Sequence, residues 1–315
     1  MAAVIMPASA GTSPKGGKDL RYGGVHGSRV APYLFLLPYL VLFLGFVILP
    51  ALFGLWMSLH NWDFLLPGKP FVGLDNYTAL FDSQSVQFEP FWHGMRATAI
   101  FTVASVPFLI SIPLLLAVLL NRKFPGRTFF RAVFFAPYVL GVAVIGLMWR
   151  YLLDPSFGAV NGLLGVFGIP PVNWITEESW AWVSLVLVTI WWTIGFNAII
   201  YLAGLGDISA EQYEAAELDG ASMWQQFRYV TVPGLRPVMV FVITTTILAS
   251  ANMFGQSYLI TQGGPGDKTR TAIMEITERG LSQYRMGEAS AMSYVLALFL
   301  AVIALANFYL TRERP

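Results

Sequence analysis

Six stretches of this sequence run for 20 to 27 residues almost without charge: Tyr33–Leu59, Ala97–Leu120, Ala132–Tyr151, Ala181–Leu205, Val238–Ile260 and Ala289–Leu310. A helix rises about 1.5 Å per residue, so roughly 20 apolar residues cross a bilayer core about 30 Å thick. Six such stretches predict an all-α membrane protein with six transmembrane helices. Composition agrees. Only 12% of the residues are charged, about half of what a water-facing surface carries.

An even number of spans puts both termini on one side, and the distribution of Lys and Arg selects the cytoplasm. With both ends inside, twelve of the 19 basic residues are cytoplasmic, among them Arg122, Lys123, Arg127 and Arg131 in one short loop. Seven remain outside, four of them in the last outer loop. Trp56, Trp62, Trp92, Trp149, Trp174, Trp180 and Trp182 fall near the outer ends of spans, as an interfacial belt requires. Residues 1–30, rich in Gly, Ser, Ala and Lys, read as a disordered cytoplasmic tail. Ala8-Ser9-Ala10 follows too short an apolar run to read as a cleavage site. The remaining 31–312 form the membrane domain.

Several chemistries are excluded. Without cysteine there are no disulfides or thiolate sites, and His26, His60 and His93 show no metal-ligand spacing, so no metal site is expected. A net charge of +1 gives no pull toward nucleic acid. Gly11–Lys18 is one residue too long for a phosphate-binding loop, and Asp19 stands where Ser or Thr is needed. The spans hold no ionisable residue except Arg150 at one edge. This argues against a proton-coupled carrier and against an intramembrane enzyme; no catalytic residue is assigned.

Neutral polar residues recur instead. Thr189, Thr193 and Asn197 share one helix face, and Thr245, Asn252 and Gln256 share another with Ala249 between them. Two readings stand: helix–helix hydrogen bonding, or a polar path for an uncharged, hydroxylated solute. Thr193, Asn197, Asn252 and Gln256 are the candidate path residues. Trp191 and Trp192, in mid-span, offer rings for stacking on a sugar or for packing.

The loop 207–237 is the most informative segment. Ser209 and Gln212 form a capping-box pattern flanked by Ile208 and Tyr213, predicting a helix over 210–218. Gly220 follows where a left-handed residue ends a helix. Ser222 and Gln225 repeat the pattern for a second short helix, which Pro233 and Pro237 limit before the fifth span. Asp207, Glu211, Glu214, Glu217 and Asp219 make the first helix acidic, and apolar residues on both helices make the loop a protein-docking surface rather than a linker.

Glu214-Ala215-Ala216, then Asp219-Gly220-Ala221, then Pro233 resemble the EAA motif of permease subunits in binding-protein-dependent ABC importers. Phe71-Val72-Gly73-Leu74-Asp75-Asn76-Tyr77, the stretches Leu120-Asn121-Arg122 through Pro137-Tyr138, and Gly263-Gly264-Pro265-Gly266 resemble the carbohydrate-uptake branch. The match is nearest to the first of the two unlike permeases in maltose-, oligosaccharide- and glycerol-3-phosphate-type systems. Val232 stands where the family often has Leu.

The resemblance implies a type I importer permease fold in the bacterial inner membrane. It implies a second six-helix permease, two ATP-binding subunits carrying the Mg-ATP, and an extracytoplasmic solute-binding protein. Lipid is the other partner, and this chain binds no cofactor. Glu214, Ala215, Ala216, Asp219, Gly220 and Ala221 would couple to the ATPases. The cargo would be a sugar, a di- or oligosaccharide. The alternatives are a glycerol-3-phosphate-type cargo, which lacks cations in the spans to meet it, and a stand-alone facilitator. In the last outer loop, Ile273, Met274, Ile276, Leu281 and Tyr284 predict an interfacial segment, whose four basic residues either meet a binding protein or, the favoured reading, are solvated.

Overall fold

The computed structural model describes residues 31–311; the expected tail over 1–30 lies outside the described residues. The chain divides after Ala51 into two units. Among the described residues there are helices and two isolated bridges, His60–Phe71 and Asp63–Arg285, and no strands.

Four helices are long and apolar enough to cross a membrane: α1, Tyr33–Ser58; α2, Phe88–Asn121; α5, Glu178–Gly206; and α9, Met286–Tyr309. Two further spans are bent pairs. α3, Arg127–Val139, meets α4, Val142–Leu152, at 95°, and α7, Met223–Gly234, meets α8, Arg236–Ala251, at 72°. Counting each pair as one span gives six. Between α5 and α7 lies the short α6, Ala210–Leu218. α1 includes a π-helical turn over Leu44–Ile48.

Two of the expected spans are not continuous helices. The third breaks at Leu140 and Gly141, both extended. The fifth, expected over Val238–Ile260, stops at Ala251 and resumes as a π-helical turn over Ser257–Thr261. A break frees carbonyls that water cannot reach at membrane depth, and each unsatisfied group there costs several kcal/mol. Side chains fill the gaps. Trp192 Nε1 donates to the Leu140 carbonyl at 3.1 Å, and Thr271 Oγ1 to that of Met253 at 2.8 Å. α2 needs the same repair, because Pro113 lacks the N–H that would bond Leu109. Asn197 Nδ2 donates to the Leu109 carbonyl at 2.9 Å.

Lipid removes most of the hydrophobic drive between helices, so close packing of small residues holds a bundle together. α3 crosses α5 at Gly195, where a Cβ would overlap the Phe134 carbonyl and the Phe135 Cα. One buried cluster joins α2, α4 and α5 through Phe101, Ile145 and Leu185. A second joins α2, α5 and α8 through Ala117, Tyr201 and Val242. A third sets Leu80 and Phe91 against Met292 on α9.

The last outer loop departs from the interfacial reading. Its helix Ala272–Thr277 is packed inward, with Ala272 and Met274 buried. Its basic residues are paired rather than merely solvated. Glu275, 3% exposed, lies 2.9 Å from Arg270 Nε and 3.3 Å from Arg279 Nη2. Arg279 and Arg285 both reach Glu288 at the start of α9, at 3.5 and 3.0 Å. Buried charges persist only when paired, so this chain of pairs ties the loop to the last span.

Gly195→Val should destabilise the chain by about 1–3 kcal/mol, the usual cost of overpacking, and lower its thermal unfolding temperature in detergent. An unchanged temperature would show that α3 does not cross α5 there.

Candidate functional site

All four residues expected on a polar path line one cavity of about 410 Å³. Thr193 and Asn197 reach it from α5, Asn252 and Gln256 from the break that follows α8. Thr189, Thr245, Thr246 and Ser250 add hydroxyls; Tyr138, Trp192 and Phe196 add rings. No Asp, Glu, Lys, Arg or His lines it. Asn252 and Gln256 flank the short break after α8 and line the cavity together.

The four differ in how far their polar groups are committed. Asn197 is buried, and its amide donates to Leu109 and, at 3.4 Å, to Thr246 Oγ1. Thr193 Oγ1 donates within its own helix to the Thr189 carbonyl at 2.7 Å. Asn252 is exposed and caps α8 by donating to Leu248 at 2.7 Å. Gln256 Nε2 reaches Thr189 Oγ1 at a long 3.5 Å. Asn197 therefore performs helix–helix bonding inside the cavity wall. Of the two mid-span tryptophans, Trp192 lines the cavity and Trp191 packs edge-on against Trp149 outside it.

Sequence reasoning missed Tyr138, stacked on Phe196 with centroids 4.5 Å apart. Its span showed no polar periodicity, and only the 95° bend turns the end of α3 toward α5. Gly255 is a second omission. A side chain there would run into Val142 at the start of α4, so the two broken spans meet at the cavity edge.

The loop 207–237 forms two capped helices, with two differences: the expected reciprocal box between Ser209 and Gln212 is absent, and the second helix continues past Pro233. Ser209 accepts from the Glu211 N–H, and α6 ends in a Schellman arrangement. Ala221 N donates to the Ala216 carbonyl at 2.9 Å and Gly220 N to that of Glu217 at 3.0 Å, with Gly220 at φ +75°. The spacing from Ala216 to Ala221 is thus the geometry of one helix stop. Ser222 and Gln225 form the reciprocal capping box. The second helix does not end before Pro233. It runs to Gly234 through a π-helical turn, because proline is tolerated at the start of a new helical turn. Tyr213 and Thr231 hydroxyls, 2.9 Å apart, pin α6 to α7. Glu214, Ala215, Asp219 and Gly220 are exposed, and Leu218, Met223, Trp224 and Tyr229 are 69–89% exposed. Large apolar side chains displayed beside carboxylates mark a protein contact surface.

Residues 97–312 match the family described as binding-protein-dependent transport system inner membrane component. The chain belongs to this family. It is 33% identical to the trehalose/maltose transport system permease protein MalF of Thermococcus litoralis, covering 87% of this chain and 92% of that protein. It is 32% identical to the arabinooligosaccharides transport system permease protein AraP of Bacillus subtilis, covering 98% and 95%. Among solved structures it resembles a chain of a bacterial ABC transporter involved in the import of the acidic polysaccharide alginate. That likeness has 27% identity, a TM-score of 0.76, and covers 90% of this chain and 95% of that one.

In this inner-membrane permease the outer-loop motif is a clamp. Asn76 Nδ2 donates to the carbonyls of Ser58 and His60, at 2.8 and 3.0 Å, and the Tyr77 hydroxyl lies 2.6 Å from Ser58 Oγ. The motif thereby fastens the end of α1.

Asn197→Ala leaves the Leu109 carbonyl short of its donor and should cost about 0.6–2 kcal/mol of stability. Asn252→Ala, exposed and bonded only within its own helix, should stay within about 0.5 kcal/mol. Thermal unfolding of the two purified variants checks the contrast.

Proposed function

We propose that this permease carries an uncharged di- or oligosaccharide through the cavity between α5 and the broken fifth span, driven by ATP bound to separate subunits. The observation that carries the reading is the cavity lining: hydroxyl, amide and aromatic groups without a single charge. Sugars present hydroxyls that donate and accept, and ring faces that pack on aromatic side chains such as Trp192 and Tyr138. The volume falls within the roughly 300–1,000 Å³ of small-molecule sites. The names of the relatives, which specify trehalose/maltose and arabinooligosaccharides, support the class. A phosphate cargo would call for Arg or Lys in the lining, so a glycerol-3-phosphate-type cargo is the weaker choice.

The acidic helix α6, with Glu214, Ala215 and Ala216 followed by Asp219, Gly220 and Ala221, would dock in a groove of an ATP-binding subunit. Two such subunits, a second six-helix permease and an extracytoplasmic binding protein would complete the importer, with both termini of this chain in the cytoplasm. Closure of the ATPases would draw the coupling loops together and open the cavity outward. The kinship with binding-protein-dependent systems supports this over a stand-alone facilitator.

Uptake of labelled maltose, trehalose and arabinooligosaccharides by proteoliposomes holding the assembled importer, binding protein and internal ATP tests the reading. Glu214→Lys and Gly220→Asp should abolish uptake while the chain remains in the membrane. Normal uptake in both would overturn the coupling role. Gln256→Ala should change apparent affinity or maximal rate about fivefold, the effect of roughly 1 kcal/mol from one hydrogen bond. Identical kinetics would remove Gln256 from the path. ATP-independent uptake by this chain alone would establish a facilitator instead.

A further inference from the structure

The turn between α2 and α3 carries charges that the permease itself does not use. Among the described residues, Arg122, Lys123 and Arg127 are exposed and enter no ion pair. No Asp or Glu occurs from residue 90 to residue 153. Arg122 Nη2 reaches only the Met223 sulfur, at 3.3 Å. That contact places the basic turn on the same side of the bundle as the coupling loop.

Directly below the charges lies an outward apolar row. Phe124 and Phe129 both pack against Phe130, with centroids 6.0 and 5.8 Å apart. Phe129 is 67% exposed, and Phe129, Val133, Ala136 and Leu140 form one exposed stripe that follows α3 into its span. Cations above a stripe of exposed phenyl and aliphatic groups match a molecule with an anionic head and an apolar tail. A water-soluble subunit would supply the counter-charge and leave the stripe uncovered.

We infer that Lys123 and Arg127 hold the headgroup of an anionic phospholipid whose acyl chain lies along the Phe129–Leu140 stripe. Arg122 extends this site toward function. It lines a cleft of about 280 Å³ with Tyr213, Met223 and Phe227 of the coupling loop. A headgroup drawing on Arg122 would therefore bear on the position of α7, and bound anionic lipid would set how firmly the loop is held. The inference depends on charge and exposure at the turn and stands whatever solute the cavity takes.

The test is native mass spectrometry of the purified importer complex titrated with phosphatidylglycerol or with phosphatidylcholine. The wild type should bind phosphatidylglycerol in preference. The double variant Lys123→Gln/Arg127→Gln should bind it about tenfold or more weakly, given roughly 1 kcal/mol per basic residue at a membrane surface. Its phosphatidylcholine binding should not change. The charge-keeping variant Lys123→Arg/Arg127→Lys should retain the preference, which separates loss of the site from loss of the fold. Equal phosphatidylglycerol affinity in the Gln variant and the wild type would overturn the proposal. So would loss of ATP-binding subunits from the Gln variant with lipid binding intact, which would assign the patch to a protein partner. Saturation by inorganic phosphate with no lipid preference would overturn it as well.

Discussion

Inside a bilayer there is no water to satisfy a backbone carbonyl, and this structure is arranged around that constraint. Straight helices meet it without help. Three departures from a straight helix are matched by a side chain from a neighbouring element: Asn197 for the carbonyl exposed by Pro113, Trp192 for the break in the third span, Thr271 for the break in the fifth. Two of these three donors sit on α5. That helix is packed by α2 on one side and α3 on another, with Gly195 allowing the close crossing. It supplies the fixed wall against which the broken spans are held.

The same repairs build the cavity. A break both frees hydrogen-bonding groups and turns side chains out of the helix line, and polar and aromatic groups from four spans converge on the cavity. Irregular backbone at membrane depth is tolerated where it lines a cavity, and here Asn252 and Gly255 stand at such a place. The absence of charge from the lining keeps the desolvation cost of the walls low while leaving donors and acceptors for a hydroxylated solute. By the same logic, Glu275 and Arg279 in the loop before α9 are buried as paired charges.

The loop 207–237 follows a different rule, since its first helix is polar and exposed. Its form is set by local capping: Ser209, the Schellman turn at Gly220 and the capping box at Ser222. Residues that satisfy their own chain ends leave Glu214, Leu218 and Trp224 free to face a partner. Ile208 and Phe227 anchor the loop on the helix cluster, while its exposed apolar side chains face away from it.

Much of this was legible in the residues alone. Lengths of apolar sequence determined how many segments can cross a membrane, and the capping residues determined where α6 starts and stops, because both depend on interactions within a few residues. The polar series on α5 was visible as a four-residue repeat for the same reason. Tertiary structure decided what depends on neighbours: the bends at Leu140 and after Ala251, the pairing of Arg279 with Glu275 and Glu288, the continuation of α7 through Pro233, and the arrival of Tyr138 beside Phe196. A break is stable only if another helix brings a donor to the freed carbonyl, and that donor lies 52 residues away for Leu140 and 88 for Leu109. Local sequence has no access to that distance, so the apolar segments could be read from sequence while the cavity between them was settled only by their packing.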